Sequence, residues 1–126
     1  MYLLDTDIII WILRNKQDIV EKISQLKEKS PLCISVMSIA EIYKNIFPAE
    51  LVDTEEFLNQ HITYNIDQKI ARMAGLYWKQ YNRELKGLSI VDCLIAGTAN
   101  VNELTVVTLN TKHFPMKDVK ILDPSN

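Results

Sequence analysis

"LTVVTL", residues 104–109, is an uninterrupted run of β-favouring residues with no charge on either face. A strand wet on one side alternates apolar with polar, so this pattern fits a parallel sheet covered by helices on both faces. Outward from it, "YLL" at 2–4 and "LCISV" at 32–36 are shorter runs of the same kind, 119–122 is a candidate edge strand, and 62–66 a weak strand or connector. The segments between them carry helical spacing. Residues 8–13 open a helix after a turn at Asp5 to Asp7, and Ile19, Val20, Ile23 and Leu26 share a face until Ser30-Pro31. Ile39, Ile42, Tyr43 and Ile46 share another that ends before Pro48. A short helix is expected at 54–61, and a long one from Asp67 to about Leu85, with Gly87 as its stop. "SIVDCLIAGTAN", 89–100, is small and apolar throughout, as in a central helix packed on two sides. This alternation predicts an α/β fold in three layers, a mainly parallel central sheet flanked by helices, forming one domain over residues 1–126.

The 126 residues are 48% hydrophobic and 24% charged, with net charge −2 and a sequence pI near 5.6, which argues against nucleic-acid binding through a broad basic surface. Cys33 and Cys93 lie in apolar surroundings at no metal-binding spacing and read as buried thiols. The apolar run at 8–13 is too short to span a membrane and follows no basic segment, so the expected location is the cytoplasm.

Charged residues inside so apolar a frame need a reason, because burying an unpaired carboxylate costs several kcal/mol. Asp5 and Asp7 follow the first strand; Glu41 in "SIAE" and Asp92 in "SIVD" each lie three residues after a serine; Asn110 follows the last core strand. Ser38 with Glu41, and Ser89 with Asp92, match the capping box, which accounts for either acid taken alone. Together the segments converge on the edge formed by the strand C-termini, where open α/β sheets bind ligands. Clustered carboxylates need a cation, and oxygen-only donors suit Mg²⁺ or Mn²⁺. Helix N-termini would help keep Glu41 and Asp92 ionised. Phosphodiester hydrolysis is the reaction such a site suits best. Ser38 is expected as a cap rather than a nucleophile, His113 as a loop residue or phosphate contact, and Lys44, Arg83, Lys86 and Lys112 as solvated side chains or phosphate contacts. Trp11, Tyr43, Tyr77, Trp78 and Tyr81 read mostly as core or interface.

"LLDTDIIIWIL", "VMSIAEIY", "LSIVDCLIAGTA" and "VVTLNTKHF", in this order, resemble the PIN domain, and within it the small VapC-type ribonuclease toxins, over nearly the whole chain. The resemblance implies a Mg²⁺- or Mn²⁺-dependent endoribonuclease that inhibits translation and growth until bound by a VapB-type antitoxin, and a homodimer. It also implies that Asp5, Glu41 and Asp92 bind metal. Asn110 departs from the family, which often has a fourth acid there; Asp7 stands where the family often has Asn or Ser, and reads either as a compensating acid or as a helix cap. Apolar residues near 40 and 50 fit a groove for an antitoxin helix. Whether tRNA, ribosomal RNA or message is cut stays open, since loop shape rather than a readable code selects it. Two alternatives compete: a catalytically weakened scaffold that binds RNA or antitoxin, and a haloacid-dehalogenase-like phosphatase with Asp5 as nucleophile.

Overall fold

The computed structural model describes residues 1–125. Five short strands, β1 (Tyr2–Leu4), β2 (Leu32–Ser35), β3 (Ile62–Tyr64), β4 (Thr105–Val107) and β5 (Lys120–Leu122), form one sheet in the order β3-β2-β1-β4-β5. Every neighbouring pair is parallel, with Leu3 opposite Cys33 on one side and Val106 on the other. Parallel neighbours need crossovers, and six helices provide them: α1 (Thr6–Leu13), α2 (Gln17–Lys29), α3 (Val36–Tyr43), α4 (Leu51–Asn59), α5 (Gln68–Tyr81) and α6 (Ile90–Asn102).

The pleat divides the core. Successive strand residues point to opposite faces, so Leu3, Cys33 and Val106 pack with Ala74, Tyr77, Cys93 and Ala96 of α5 and α6. Leu4, Ile34 and Val107 pack on the other face with Ile8, Ile9, Ile19, Ile23 and Leu58 of α1, α2 and α4. Both cysteines are free and buried, as expected. Six of the seven residues from Cys93 to Ala99 are buried, and at Gly97 a side chain would begin only 3.2 Å from the Ile70 carbonyl oxygen of α5. Among the described residues no helix is long and apolar enough to cross a membrane.

Several helix boundaries correct the sequence reading. Strand β2 runs straight into α3, and Ser35, not Ser38, is the cap, its Oγ accepting from Met37 N at 3.1 Å. Ser38 and Glu41 therefore form no capping box; Ser38 is buried inside the helix, and Glu41 stands in its last turn, away from the positive N-terminal end. Helix α1 begins at Thr6, with Asp5 as its cap and Asp7 inside its first turn. Helix α5 stops at Tyr81, where the Asn82 amide turns back to bond the Trp78 carbonyl, and turns lead on to Gly87 at φ +89°. The second expected capping box is present: Ser89 Oγ accepts from Asp92 N at 3.0 Å, and an Asp92 carboxylate oxygen accepts from Ser89 N at 3.2 Å. Ser89→Ala is expected to lower stability by about 1 kcal/mol, read as a lower urea midpoint at unchanged slope; an unchanged midpoint would show that the reciprocal pair carries no stability.

Candidate active site at the strand C-terminal edge

Parallel pairing puts the ends of β1 and β4 side by side, and the backbone N–H of Asp5 donates to the Val107 carbonyl at 2.9 Å, stitching the two exits together. Asp5 is 5% exposed. One carboxylate oxygen accepts from Thr6 N at 2.9 Å and the other from Thr108 Oγ1 at 2.7 Å. Thr108 Oγ1 in turn accepts from Asn110 N at 3.0 Å. Burial first, then the charge of Asp7 and more weakly that of Asp92, push the Asp5 carboxyl up to about 7, against the pull of these hydrogen bonds.

Asp7 lies one helix position beyond Thr6, its Oδ1 accepting from Ile8 N at 2.8 Å and its Oδ2 from Leu109 N at 3.1 Å. Its carboxyl is also pushed up, chiefly by burial. Asp92 approaches from the start of α6, its side chain 17% exposed and its Oδ2 lying 3.5 Å from His113 Nδ1. His113 sits in a 3-10 turn over Thr111–His113.

Glu41 joins through a hydroxyl. Thr6 Oγ1 lies 2.6 Å from Glu41 Oε1 and 2.9 Å from Ser38 Oγ. With one proton to give, Thr6 gives it to the carboxylate, and the Ser38 hydroxyl turns to Thr6. Ser38 is thus a buried brace for Thr6 rather than a cap or an exposed nucleophile. Asn110 is exposed and starts the Thr111–His113 turn without a side-chain capping bond.

Asp5 and Asp7 thus lie together at this edge, close enough to Asp92 for its charge to bear on both; Glu41 reaches Thr6 beside Asp5, the Asn110 backbone bonds Thr108, and His113 lies by Asp92. Sequence reasoning missed Thr6 and Thr108, the hydroxyls that hold Glu41 and Asp5; the available signal was a threonine beside the first acid and another two residues before Asn110. Lys44, Arg83, Lys86 and Lys112 are all exposed. Of the aromatic residues, Tyr77 is core, while Trp11 and Trp78 are 37% and 44% exposed.

Asp5, Asp7, Asp92, Glu41 and Asn110 offer oxygen donors alone, the donor class a hard divalent cation takes, and burial raises the carboxyls of Asp5 and Asp7. Among the described residues no three His, Cys, Asp or Glu side chains are gathered to hold an ion by themselves.

A sequence model of the PIN domain matches residues 2–120. The chain belongs to the PIN-domain family. That match sets aside the phosphatase alternative. Among PIN-domain relatives, "Ribonuclease VapC10" of Mycobacterium tuberculosis is 34% identical over 116 residues, covering 92% of this chain and 87% of its own. "Ribonuclease VapC19" of the same species is 29% identical over 117 residues, covering 92% and 94%. Among solved structures, the DNA-bound VapBC of Salmonella typhimurium superposes with a TM-score of 0.81 at 27% identity, covering 98% of this PIN domain and 97% of that chain. VapBC2 of Rickettsia felis, bound to a DNA fragment from its promoter, superposes at 0.82 with 20% identity over 96% of each chain, a likeness of fold.

Proposed function

We propose that this PIN domain is a Mg²⁺- or Mn²⁺-dependent endoribonuclease, the toxin of a type II toxin–antitoxin pair, acting in the cytoplasm and arresting translation and growth by cutting RNA. The observation that carries the reading is the meeting of Asp5 and Asp92, 87 positions apart in the sequence, at one sheet edge with Glu41 tied in through Thr6. The ribonuclease relatives support it. A divalent cation bound there supplies a polarised phosphate oxygen and a more acidic water. Asp5 and Asp92 hold the cation, Glu41 completes the set from α3, and Asn110 offers a neutral oxygen or orients water. Thr6 and Thr108 fix Glu41 and Asp5 in place, with Ser38 bracing Thr6. His113, within reach of Asp92, sets that carboxylate's orientation.

The partner is a VapB-type antitoxin, in keeping with the toxin–antitoxin complexes that share the fold. Phe47, Leu51 and Val52 are 65%, 44% and 68% exposed, and a groove lined by Ile10, Leu13, Arg14, Ile42 and Ile46 runs up to Glu41. An amphipathic helix seated there would cover both apolar surface and active-site rim. The toxin is a homodimer in this reading.

Purified, antitoxin-free protein given Mg²⁺ or Mn²⁺ is expected to cleave structured RNA, with cleavage lost in Asp92→Asn and Asp5→Asn and expression arresting growth unless the antitoxin is co-expressed. Cleavage that persists in both variants would refute the site. Absence of cleavage with any divalent cation would favour the weakened, RNA- or antitoxin-binding scaffold that Asn110 suggests.

A further inference from the structure

Helix α5 turns a face of like charge to solvent. Its inner side is buried, with Ile70, Ala74 and Tyr77 in the core. Its outer side carries Lys69, Arg72, Leu76 and Lys79, all exposed, and the turn that follows adds exposed Arg83 and Lys86. Residues 68–88 thus hold five of the chain's fourteen basic residues and, in Glu84, one of its sixteen acids. None of the five is in an ion pair among the described residues; Arg72 donates to the neutral Gln68 at 2.9 Å. Helix stability does not ask for this. Opposite charges three or four residues apart support a helix, whereas Lys69 with Arg72, and Lys79 with Arg83, repel. Lys79 in the last turn suits the helix dipole, but Lys69 in the first turn opposes it.

Gly75 lies in the middle of that face, three residues after Arg72 and four before Lys79. Glycine is the poorest helix former after proline, and the other two glycines have visible reasons: Gly97 is pressed against the Ile70 carbonyl, and Gly87 holds φ +89°. Gly75 has neither. It is exposed in a regular helix, and no atom lies within 4 Å of where its side chain would begin. What the missing side chain offers is close approach to the helix from outside, between two cations. A second copy of the chain fits that notch poorly, because a two-fold interface sets a patch against itself, here cation against cation. A polyanion fits it. The chain then leads from this face to the candidate site: past Lys79, Arg83 and Lys86 it reaches Gly87, where a side chain would begin 3.8 Å from His113 Nε2, and His113 lies by Asp92.

We infer that the outer face of α5 is a track for the RNA strand, with Arg72 and Lys79 on its phosphates, Gly75 admitting its backbone between them, and Arg83 and Lys86 carrying it toward Asp92. The inference rests on reading this chain as a ribonuclease, and it gives that reading a way to hold RNA without a broad basic surface.

The test measures binding rather than cleavage, by fluorescence anisotropy of a labelled stem-loop RNA with the full chain in EDTA, from about 50 to 200 mM KCl. Arg72→Gln and Lys79→Gln should each raise the dissociation constant about 5- to 10-fold and make the salt dependence of log affinity shallower by about 1. Lys22→Gln and Lys27→Gln on α2 should do neither. Gly75→Gln should weaken binding by a like factor while raising the urea midpoint through helix propensity, a combination that no folding defect produces. The inference is overturned if Gly75→Gln binds RNA as the unaltered chain does, or if the α2 lysines matter as much as the α5 cations. Displacement of the RNA by poly-glutamate at equal charge would overturn it too, in favour of an acidic protein segment. If Gly75→Gln turns a dimer into monomers with RNA binding intact, a second copy covers the face instead. Each of these results leaves cleavage dependent on Asp5 and Asp92 standing. RNA held on this track by a chain that cuts nothing with any divalent cation would remove the nuclease reading alone, and an unaltered chain that binds no RNA at low salt would remove both.

Discussion

In chelator-treated protein, Asp5→Asn is expected to flatten a fall in stability that the unaltered chain shows between pH 5 and pH 8. Asp5 titrates near pH 7 when folded and near its ordinary 3.8 when unfolded. Below pH 4 both states hold the proton, and the folded state has its full advantage. As pH rises from 4 to 7 the unfolded chain gives its proton up while the folded chain keeps it, so each unit removes about 1.4 kcal/mol of stability. Above pH 7 both are ionised and the loss, about 4 kcal/mol over the whole window, is complete. From pH 5 upward the unaltered protein should lose about 3 kcal/mol, or roughly 10 °C of melting temperature. The variant has no such charge to bury and should be the more stable of the two at pH 8. Melting curves at stated pH decide this, and parallel pH profiles for the two proteins would show that Asp5 is as easily ionised in the fold as out of it. Mn²⁺ at pH 8 should restore stability to the unaltered chain alone.

Gly97→Val should be the other severe change. The two helices on one side of the sheet, α5 and α6, meet at Gly97, where even a methyl group would sit 3.2 Å from the Ile70 carbonyl oxygen, 3.5 Å from its Cγ2 and 3.6 Å from Ala74 N. Two of those three atoms are backbone and cannot rotate away, so a branched side chain must push the helices apart. The expected loss is about 3 kcal/mol, measured by urea unfolding; under the proposed function, Mn²⁺ binding should weaken too, because α6 carries Asp92. Gly75 on α5 is the internal control, since nothing lies within 4 Å of where its side chain would begin. Gly75→Ala should raise stability by roughly 1 kcal/mol through helix propensity alone. A mild effect of Gly97→Val would mean that the α5–α6 contact is not close-packed.

Sequence alone reveals the sheet because parallel strands buried on both faces leave an apolar trace that needs no partner to be recognised, as in "LTVVTL" and "LCISV". It reveals Asp5, Asp92 and Asn110 because each follows or opens a periodic segment at the same end of the sheet. The start of α3 is less legible. "SVMSIAE" offers two serines three residues apart, both competent to cap, and local rules favour the one followed by an acid. What decides for Ser35 is that β2 ends there, a tertiary fact. Thr6 and Thr108 escape notice for a related reason: each is an ordinary helix or strand residue until the fold brings it to a carboxylate, 35 positions away for Thr6 and 103 for Thr108. The pairing of His113 with Asp92 is likewise visible only in three dimensions.

The first strand to leave the ribosome is the innermost of the five, and its right-hand neighbour is made almost last. A growing polypeptide interrupted anywhere before Thr108 carries Asp5 without its clamp and β1 with one edge bare. Contacts this remote in sequence close late and slowly. If the chain is the toxin proposed above, copies that lack this clamp would on that account be inert.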